Sequence, residues 1–101
     1  MKLMEEKDWQ PLCRAILQLE SEQECRDFFE DICTVKELRD IAQRFRVALM
    51  LAEGKNYQEI SQATGASTAT ICRVNKCLTL GEGYRRALDK LATDGVAAEE
   101  E

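Results

Sequence analysis

Residues 57–74 read YQEISQATGASTATICRV and carry the clearest structural pattern of the chain. Ile60 is followed by Gly65, which permits the positive backbone angle that ends one helix before the next begins. Ile71 and Val74 then return to the apolar side of a second helix at i, i+3 spacing. Two short helices crossing at a tight turn are typical of a helix-turn-helix, which presents its second helix to the major groove of DNA. The alternative is an ordinary helical hairpin in a bundle.

The rest of the chain divides into helices through its own start and stop signals. Asp8 can cap a first helix that runs to about Leu19. Three later starts show the capping-box pattern of a polar residue followed three positions later by glutamate: Ser21 and Glu24, Thr34 and Glu37, Asn56 and Glu59. Gly54 ends the long third helix, Ala66 or Ser67 starts the second helix of the motif, and a last helix covers roughly Tyr84 to Leu91. The pattern predicts an all-α chain with no strand.

A single structural domain in three parts is expected. Residues 1–33 form an N-terminal helical dimerisation arm, residues 34–91 form the core with the helix-turn-helix, and residues 92–101 form an acidic disordered tail. The apolar stripes of the first two helices include Trp9 and Phe28, which are large for a chain of 101 residues. A second copy would cover these stripes more fully than intramolecular packing, and a two-fold dimer suits a symmetric operator.

The net charge of −5 is distributed unevenly along the chain. Residues 1–34 carry a net charge of −5, and residues 92–101 carry −4. Residues 35–54 carry +1, and residues 55–91, which hold the helix-turn-helix pattern, carry +3. The basic balance therefore lies on the segment predicted to bind DNA. Because the positive charge is modest, we expect weak and salt-sensitive non-specific binding.

The composition limits the chemistry and the location of the chain. There are no histidines and five cysteines, none in a C-x-x-C pair: Cys13, Cys25, Cys33, Cys72 and Cys77. In a reducing compartment the cysteines are most simply small buried apolar residues, and the spacing gives less support to a metal site or a redox switch. No cofactor and no enzymatic activity are predicted, since no nucleophile–base pair or phosphate loop is present. The absence of a signal peptide or membrane span predicts a cytoplasmic protein with no membrane partner.

From Thr34 to Leu78 the chain resembles the Trp repressor family, most closely its YerC/YecD branch. The resemblance rests on RFR at 44–46, Gly54, and GASTATICR at 65–73. It implies an all-helical, intertwined homodimer in which the N-terminal helices of two subunits interlock. Each subunit would present one helix-turn-helix reading head.

The resemblance also implies a candidate effector pocket, in which two arginines sandwich an aromatic amino acid. The matching positions are Thr34, Arg44, Thr70 and Arg73. Val74 and Cys77 depart from the family pattern, which has Gly and Ser there. Overfilling a close-packed site typically costs about 1–3 kcal/mol, and a thiol is a poorer polar partner than a hydroxyl. We therefore expect an effector other than tryptophan, or none. The alternative for both arginines is contact with acidic side chains or DNA phosphate.

Four positions correspond to the DNA-facing positions of the family: Ser67, Thr68, Ala69 and Cys72. Gln58 and Ser61 stand where the Trp repressor has basic residues, which lowers the expected phosphate affinity, although Gln58 can pair with adenine. Lys76 is a candidate for phosphate contact. Lys55, Arg85 and Arg86 are further candidates, and each is otherwise a solvated surface charge.

The leading hypothesis is a dimeric, sequence-specific transcriptional regulator, acting as a repressor on double-stranded DNA. The alternative is a helical protein-interaction module that keeps the fold without specific DNA binding. Loss of basic residues at positions 58 and 61 favours the alternative, and a gel-shift assay at low salt separates the two.

Overall fold

The computed structural model describes residues 3–94, which form six helices and no strand. The helices are α1 Glu6–Leu17, α2 Glu22–Ile32, α3 Val35–Ala52, α4 Tyr57–Thr64, α5 Thr68–Leu80 and α6 Gly83–Asp94. The all-α prediction is confirmed. The last helix extends three residues beyond the predicted Leu91, and the predicted tail from residue 95 onward lies outside the described residues. None of the described helices is long and apolar enough to cross a membrane.

The chain divides into two compact units, an N-terminal unit up to Leu38 and a C-terminal unit from Arg39. Helix starts in the N-terminal unit follow the sequence with one exception. The predicted cap at Asp8 is wrong, because α1 begins earlier, after the extended residue Glu5, and Asp8 lies in its first turn. The helix ends at Leu17, two residues before the predicted boundary at about Leu19. Acidic residues in a first turn are still favourable, since they face the positive end of the helix dipole.

The starts of α2 and α3 are confirmed by side-chain hydrogen bonds. The Ser21 hydroxyl accepts from the Glu24 N–H at 3.1 Å, but the Glu24 carboxylate accepts from the N–H of Glu20 rather than of Ser21, at 2.9 Å. The pair at α3 is fully reciprocal. Thr34 Oγ1 accepts from the Glu37 N–H at 3.1 Å, and the Glu37 carboxylate accepts from the Thr34 N–H at 2.9 Å.

Neither α1 nor α2 has a buried residue, although both carry apolar stripes. Trp9 is 39% exposed and Ile32 is 53% exposed. The rings of Phe28 and Phe29 make an edge-to-face contact, with centroids 5.4 Å apart and an interplanar angle of 78°. Apolar side chains at this level of exposure leave much of their burial energy unrealised in a single chain.

The core of the C-terminal unit joins α3, α4, α5 and the turn between α4 and α5. Its six buried residues are Val47, Ala48, Ile60, Ala66, Ile71 and Val74. Five side chains pack around them: Met50, Leu51, Tyr57, Tyr84 and Leu88. The core lies where the α4–α5 pair meets α3, so the same residues that define the predicted motif also fix it to the rest of the unit.

The cysteines are not buried, so the prediction that they are small core residues is wrong. Cys13, Cys72 and Cys77 are exposed, Cys25 and Cys33 are half-buried, and all five are free thiols. Four of the five lie in amphipathic helices, where a residue at the edge of the apolar stripe follows the helical period without reaching the core, and Cys33 follows the end of α2. The described residues contain no group of potential metal ligands.

Candidate nucleic-acid interface

The turn between α4 and α5 is held by a dense set of hydrogen bonds. Gly65 ends α4 with φ of 76° and ψ of 4°, and its N–H donates to the Ser61 carbonyl at 2.8 Å. Thr64 Oγ1 donates to the Ile60 carbonyl at 2.8 Å and accepts from the Ala66 N–H at 3.1 Å. The Ser61 hydroxyl donates to the Ala66 carbonyl at 2.9 Å. Both polar backbone groups of Ala66, which is 2% exposed, thus have a partner within the turn.

Two side chains of α3 reach the last carbonyl groups of α4. Gln43 Nε2 donates to the Thr64 carbonyl at 3.1 Å, and an Arg46 guanidinium N–H donates to the Ala63 carbonyl at 3.3 Å. Carbonyls at a helix C-terminus lack partners within the helix and carry partial negative charge, which suits both donors. These contacts bridge segments 21 and 17 residues apart in the chain.

Both helices of the pair begin at a side-chain cap, which the sequence predicts for α4, while for α5 it predicts a start at Ala66 or Ser67. Asn56 Oδ1 accepts from the Glu59 N–H at 2.8 Å, and the Glu59 carboxylate accepts from the Asn56 N–H at 2.9 Å. At α5 the Ser67 hydroxyl accepts from the Thr70 N–H and donates to Thr70 Oγ1, each at 3.1 Å. Ser67 therefore fixes the start of α5, and its hydroxyl is already hydrogen-bonded to the backbone N–H of Thr70.

The two sides of α5 differ sharply in burial. Ile71 and Val74 are 0% and 1% exposed and face the core. Most of the side chains predicted to face DNA are exposed, namely Gln58, Ser67, Thr68, Ala69, Cys72 and Lys76. Ser61 differs from them, since it is half-buried and its hydroxyl donates inside the turn. The Ser61 hydroxyl thus contributes to holding the turn.

Tyr57 opens α4 and packs against α5. Burial raises the pKa of the Tyr57 phenol above its ordinary value of 10.0, and interaction with Cys72 raises it further, while a hydrogen-bonding interaction with Asn75 lowers it. The phenol is therefore neutral at physiological pH.

The basic residues near this surface differ in their internal partners. A guanidinium N–H of Arg85 donates to the Leu78 carbonyl at 3.0 Å, and Arg86 pairs with Glu82 at 2.6 Å. Lys55 and Lys76 form no ion pair with any residue in the described range 3–94. Lys76 is therefore less constrained than either arginine of α6 for contact with an anionic partner.

A model of the Trp repressor protein family matches residues 7–92 of the chain. The chain belongs to the Trp repressor family. The uncharacterized protein YerC of Bacillus subtilis (strain 168) is 48% identical over 86 residues, which cover 84% of this chain and 83% of YerC. A Trp operon repressor homolog of Chlamydia trachomatis is 32% identical over 79 residues, which cover 77% of this chain and 84% of the homolog.

Solved structures agree with the family assignment. A TrpR-like protein from Eubacterium eligens superimposes with a TM-score of 0.81 at 47% identity, covering 85% of this chain and 90% of that protein. A Trp repressor candidate from Staphylococcus aureus gives a TM-score of 0.79 at 41% identity, covering 88% and 95%. The resemblance to the YerC branch and the all-helical Trp repressor fold are both confirmed.

The positions that match the effector pocket of the Trp repressor family are distributed over the two units of the chain. Thr70, Arg73, Val74 and Cys77 share one flank of α5 at i, i+3, i+4 and i+7. Arg44 is half-buried and lies one turn before Val47 and Ala48 on the core face of α3. Neither Arg44 nor Arg73 pairs with an acidic side chain of the described range. Thr34 belongs to the N-terminal unit, where it caps α3.

An open apolar groove of about 730 Å³ lies beside this flank. It is lined by α3, α5 and α6, through Phe45, Lys76, Cys77, Leu80, Gly81, Gly83, Tyr84 and Ala87. Cys77 is the one predicted effector residue on this lining, whereas Val74 points into the closed core. Leu80, at 74% exposed, shows that the groove leaves apolar surface uncovered in the single chain.

Sequence reasoning missed the two side chains that tie α3 to the end of α4. Gln43 lies four residues before Val47, so it is a polar residue on the apolar face of a helix. A polar side chain on the apolar face of a helix needs a hydrogen-bond partner, so the position of Gln43 could have indicated that it bonds to another segment. Arg46 belongs to the RFR motif, but its role at the Ala63 carbonyl has no sequence signal of its own.

Proposed function

We propose that this member of the Trp repressor family is a DNA-binding transcriptional regulator that acts as a homodimer. In this proposal α4 and α5 form the helix-turn-helix reading head, and the N-terminal half of α5 enters the major groove. The family is one of transcription regulators rather than enzymes. A Trp operon repressor homolog and a Trp repressor candidate among the similar proteins support the same class of function.

The observation that carries the proposal is the contrast between the two faces of α5. Its inner face is closed by Ile71 and Val74, while its outer face presents small, exposed side chains at Thr68, Ala69 and Cys72. Small side chains let the helix backbone approach base edges closely. The Thr68 hydroxyl can donate or accept, and its methyl group and Ala69 can contact a thymine methyl. The rigid turn before α5 would hold this face in a fixed position.

A second copy of the chain would cover the apolar surfaces that a single chain leaves exposed. The amphipathic helices α1 and α2 have no buried residue, and the groove on the C-terminal unit is apolar. Residues 1–34 carry a net charge of −5, whereas residues 55–91 carry +3, so the N-terminal helices of one copy would meet a surface of opposite charge on the other. We expect sedimentation equilibrium to give twice the chain mass of 11.5 kDa.

Regulation by tryptophan is not part of the proposal. Val74 fills space in the core beside Arg73, so its carbons occupy the position that the family pattern leaves to Gly. Calorimetric titration with tryptophan should give no binding in the micromolar range. One-to-one micromolar binding would show instead that the core opens to admit the ligand.

A helical interaction module without specific DNA binding is the second candidate. It is favoured by the engagement of Ser61 inside the turn and of Arg85 and Arg86 with partners in the chain. Each engagement removes a group that could have contacted phosphate. The two candidates differ in whether any DNA fragment is selected by the chain.

Selection of bound fragments from genomic DNA, followed by gel-shift assays at low salt, tests the leading candidate. Ala69→Glu places a carboxylate on the outer face of α5 near its N-terminus, where a negative charge does not destabilise the helix. It should weaken the selected complex by at least about tenfold, because the carboxylate would face phosphates and base acceptors. Ala92→Glu, on the exposed end of α6, is the matched control with the same change in charge.

If both variants bind as the wild type does, α5 is not the reading helix. If the wild-type chain selects no fragment at low salt, where phosphate contacts are strongest, the interaction module becomes the better account.

A further inference from the structure

We infer that Gln43 and Arg46 are positioning residues, which set the orientation of the α4–α5 pair by holding the last carbonyl groups of α4. This inference rests on the proposed function for its effect on DNA, but its structural part stands on the turn alone. The two donors come from α3, and their acceptors are the carbonyls of Thr64 and Ala63, immediately before Gly65.

The acceptors lie close to the turn, so these contacts can influence the position of α5 as well as that of α4. Ala63 and Thr64 end α4, and only Gly65, Ala66 and Ser67 separate them from α5. The turn itself is already fixed by the hydroxyls of Ser61 and Thr64. A rigid turn means that α4 and α5 move together, so donors that hold the end of α4 also hold the start of α5.

The apolar core fixes the distance of the pair from α3 but constrains its rotation less. Ile60, Ile71 and Val74 provide non-directional packing against Val47 and Ala48. Hydrogen bonds are directional, and their strength falls steeply when the donor angle departs from linear. Two donors at i and i+3 of α3 therefore select one orientation of α4 among those that the packing allows.

The two donors differ in environment and complement one another. The Gln43 contact is part-buried, so little water can replace it when the side chain is removed. The Arg46 contact is exposed and longer, but a cation at a helix C-terminus also interacts with the helix dipole. We expect the Gln43 contact to contribute more to orientation, and the Arg46 contact to depend on salt.

Amide hydrogen exchange on the full-length chain tests the structural part. In Gln43→Ala, the Gly65 and Ala66 amides should exchange about five times faster, the change expected for loss of one ordinary hydrogen bond. Gln62→Ala is the matched control, since it makes the same substitution at an exposed position of α4 and should leave both exchange rates unchanged. Unchanged exchange at both amides in Gln43→Ala would overturn the inference, because the turn would then be fixed without α3.

DNA affinity tests the functional part at a temperature where every variant is fully folded. Gln43→Ala should lower affinity for a selected site about fivefold, the change expected for loss of one ordinary hydrogen bond. Arg46→Ala should lower it less, because its contact is exposed and longer. Both variants should change affinity for random DNA less than affinity for the selected site. Arg39→Ala removes the same charge from α3 and should lower both affinities equally, whereas Arg46→Lys should recover part of the specific affinity. A merely structural role would lower the melting temperature and leave the ratio of specific to random affinity unchanged.

The outcomes separate this inference from the proposed function. If the ratio of specific to random affinity is unchanged in both Gln43→Ala and Arg46→Ala, the positioning role is wrong and the DNA-binding proposal is unaffected. If the wild-type chain selects no site, the DNA-binding proposal fails. The exchange rates of the Gly65 and Ala66 amides then still decide whether α3 orders the turn.

Discussion

Replacing Val74 with Ala tests whether this residue belongs to the core or borders an open ligand pocket. Val74 is 1% exposed and packs in the cluster with Val47, Ile60 and Ile71. Removing two carbons costs about 1.6 kcal/mol in transfer free energy at about 0.8 kcal/mol per carbon. A cavity that does not collapse adds about 24 cal/mol per Å³, and the better helix propensity of Ala returns up to about 0.5 kcal/mol. The expected loss of unfolding free energy is therefore about 1.5–3 kcal/mol.

Urea unfolding followed by far-UV circular dichroism measures this loss. With a slope of about 2 kcal/mol/M, the midpoint should fall by about 1 M. Val47→Ala, at a position 0% exposed in the same core, should cost a similar amount, and Val35→Ala, at a position 66% exposed, should stay within about 0.5 kcal/mol of the wild type. All chains are compared at one protomer concentration, because association shifts apparent stability.

A different pattern of costs would refute the reasoning. If Val74→Ala costs as little as Val35→Ala while Val47→Ala costs the full amount, the side chain of Val74 does not complete the core. The flank of α5 that carries Arg73 and Val74 would then be open to a ligand, and Val74 would no longer be a reason to expect that tryptophan does not bind.

Three further predictions concern the turn, the charged surface and the phenol of α4. Gly65→Ala should destabilise the chain by about 1–2 kcal/mol in thermal unfolding, because φ is 76° there and a residue with a Cβ is strained in the left-handed region. Gly83→Ala is the control. Its Cβ would meet nothing within 4 Å, so this variant should be neutral or slightly stabilising. Lys76→Gln should reduce the salt slope of DNA binding by about 1, and Lys90→Gln should leave it unchanged; equal slopes in all chains would exclude Lys76 as a phosphate contact. Burial raises the pKa of Tyr57, so folding favours the neutral phenol; this stability is fully present below the unfolded pKa of about 10 and is lost as pH rises through the folded pKa. When the pH is raised from about 8 to above about 10, the urea midpoint of the wild type should therefore fall more than that of Tyr57→Phe. Equal falls in the two chains would show that the phenol contributes nothing to the pH dependence of stability.

The sequence predicts those parts of the fold that depend on local signals. The caps at Ser21, Thr34 and Asn56 and the left-handed turn at Gly65 are each set by a side chain within three residues or by the glycine itself, and all are confirmed. Of the two starts predicted for α5, Ser67 is the residue that caps the helix. The first helix lacks such a signal, since no side chain caps its first turn. The predicted start at Asp8 is consequently wrong, because an acidic residue of a first turn resembles a cap in sequence.

Contacts between distant segments are beyond the reach of local patterns. The bonds from Gln43 and Arg46 span 21 and 17 residues and depend on the crossing of α3 and α4. The cysteines show the same limit, because helical spacing gives the direction of a side chain but not whether another element covers it. Cys72 and Cys77 lie beside the apolar stripe of α5 and are nevertheless exposed.

The two ends of α5 have different proposed partners. The N-terminal part, with Thr68 and Ala69, is the part proposed to enter DNA, while Leu80 at the C-terminal end lines the apolar groove proposed to receive a second copy. Lys76 lies between them, and it is exposed while also lining the groove. A long side chain there can cover apolar surface with its carbon stem and still direct its ammonium group outward. A single rigid helix that serves both partners would fix the distance between the two reading heads, and with it the spacing of the operator half-sites.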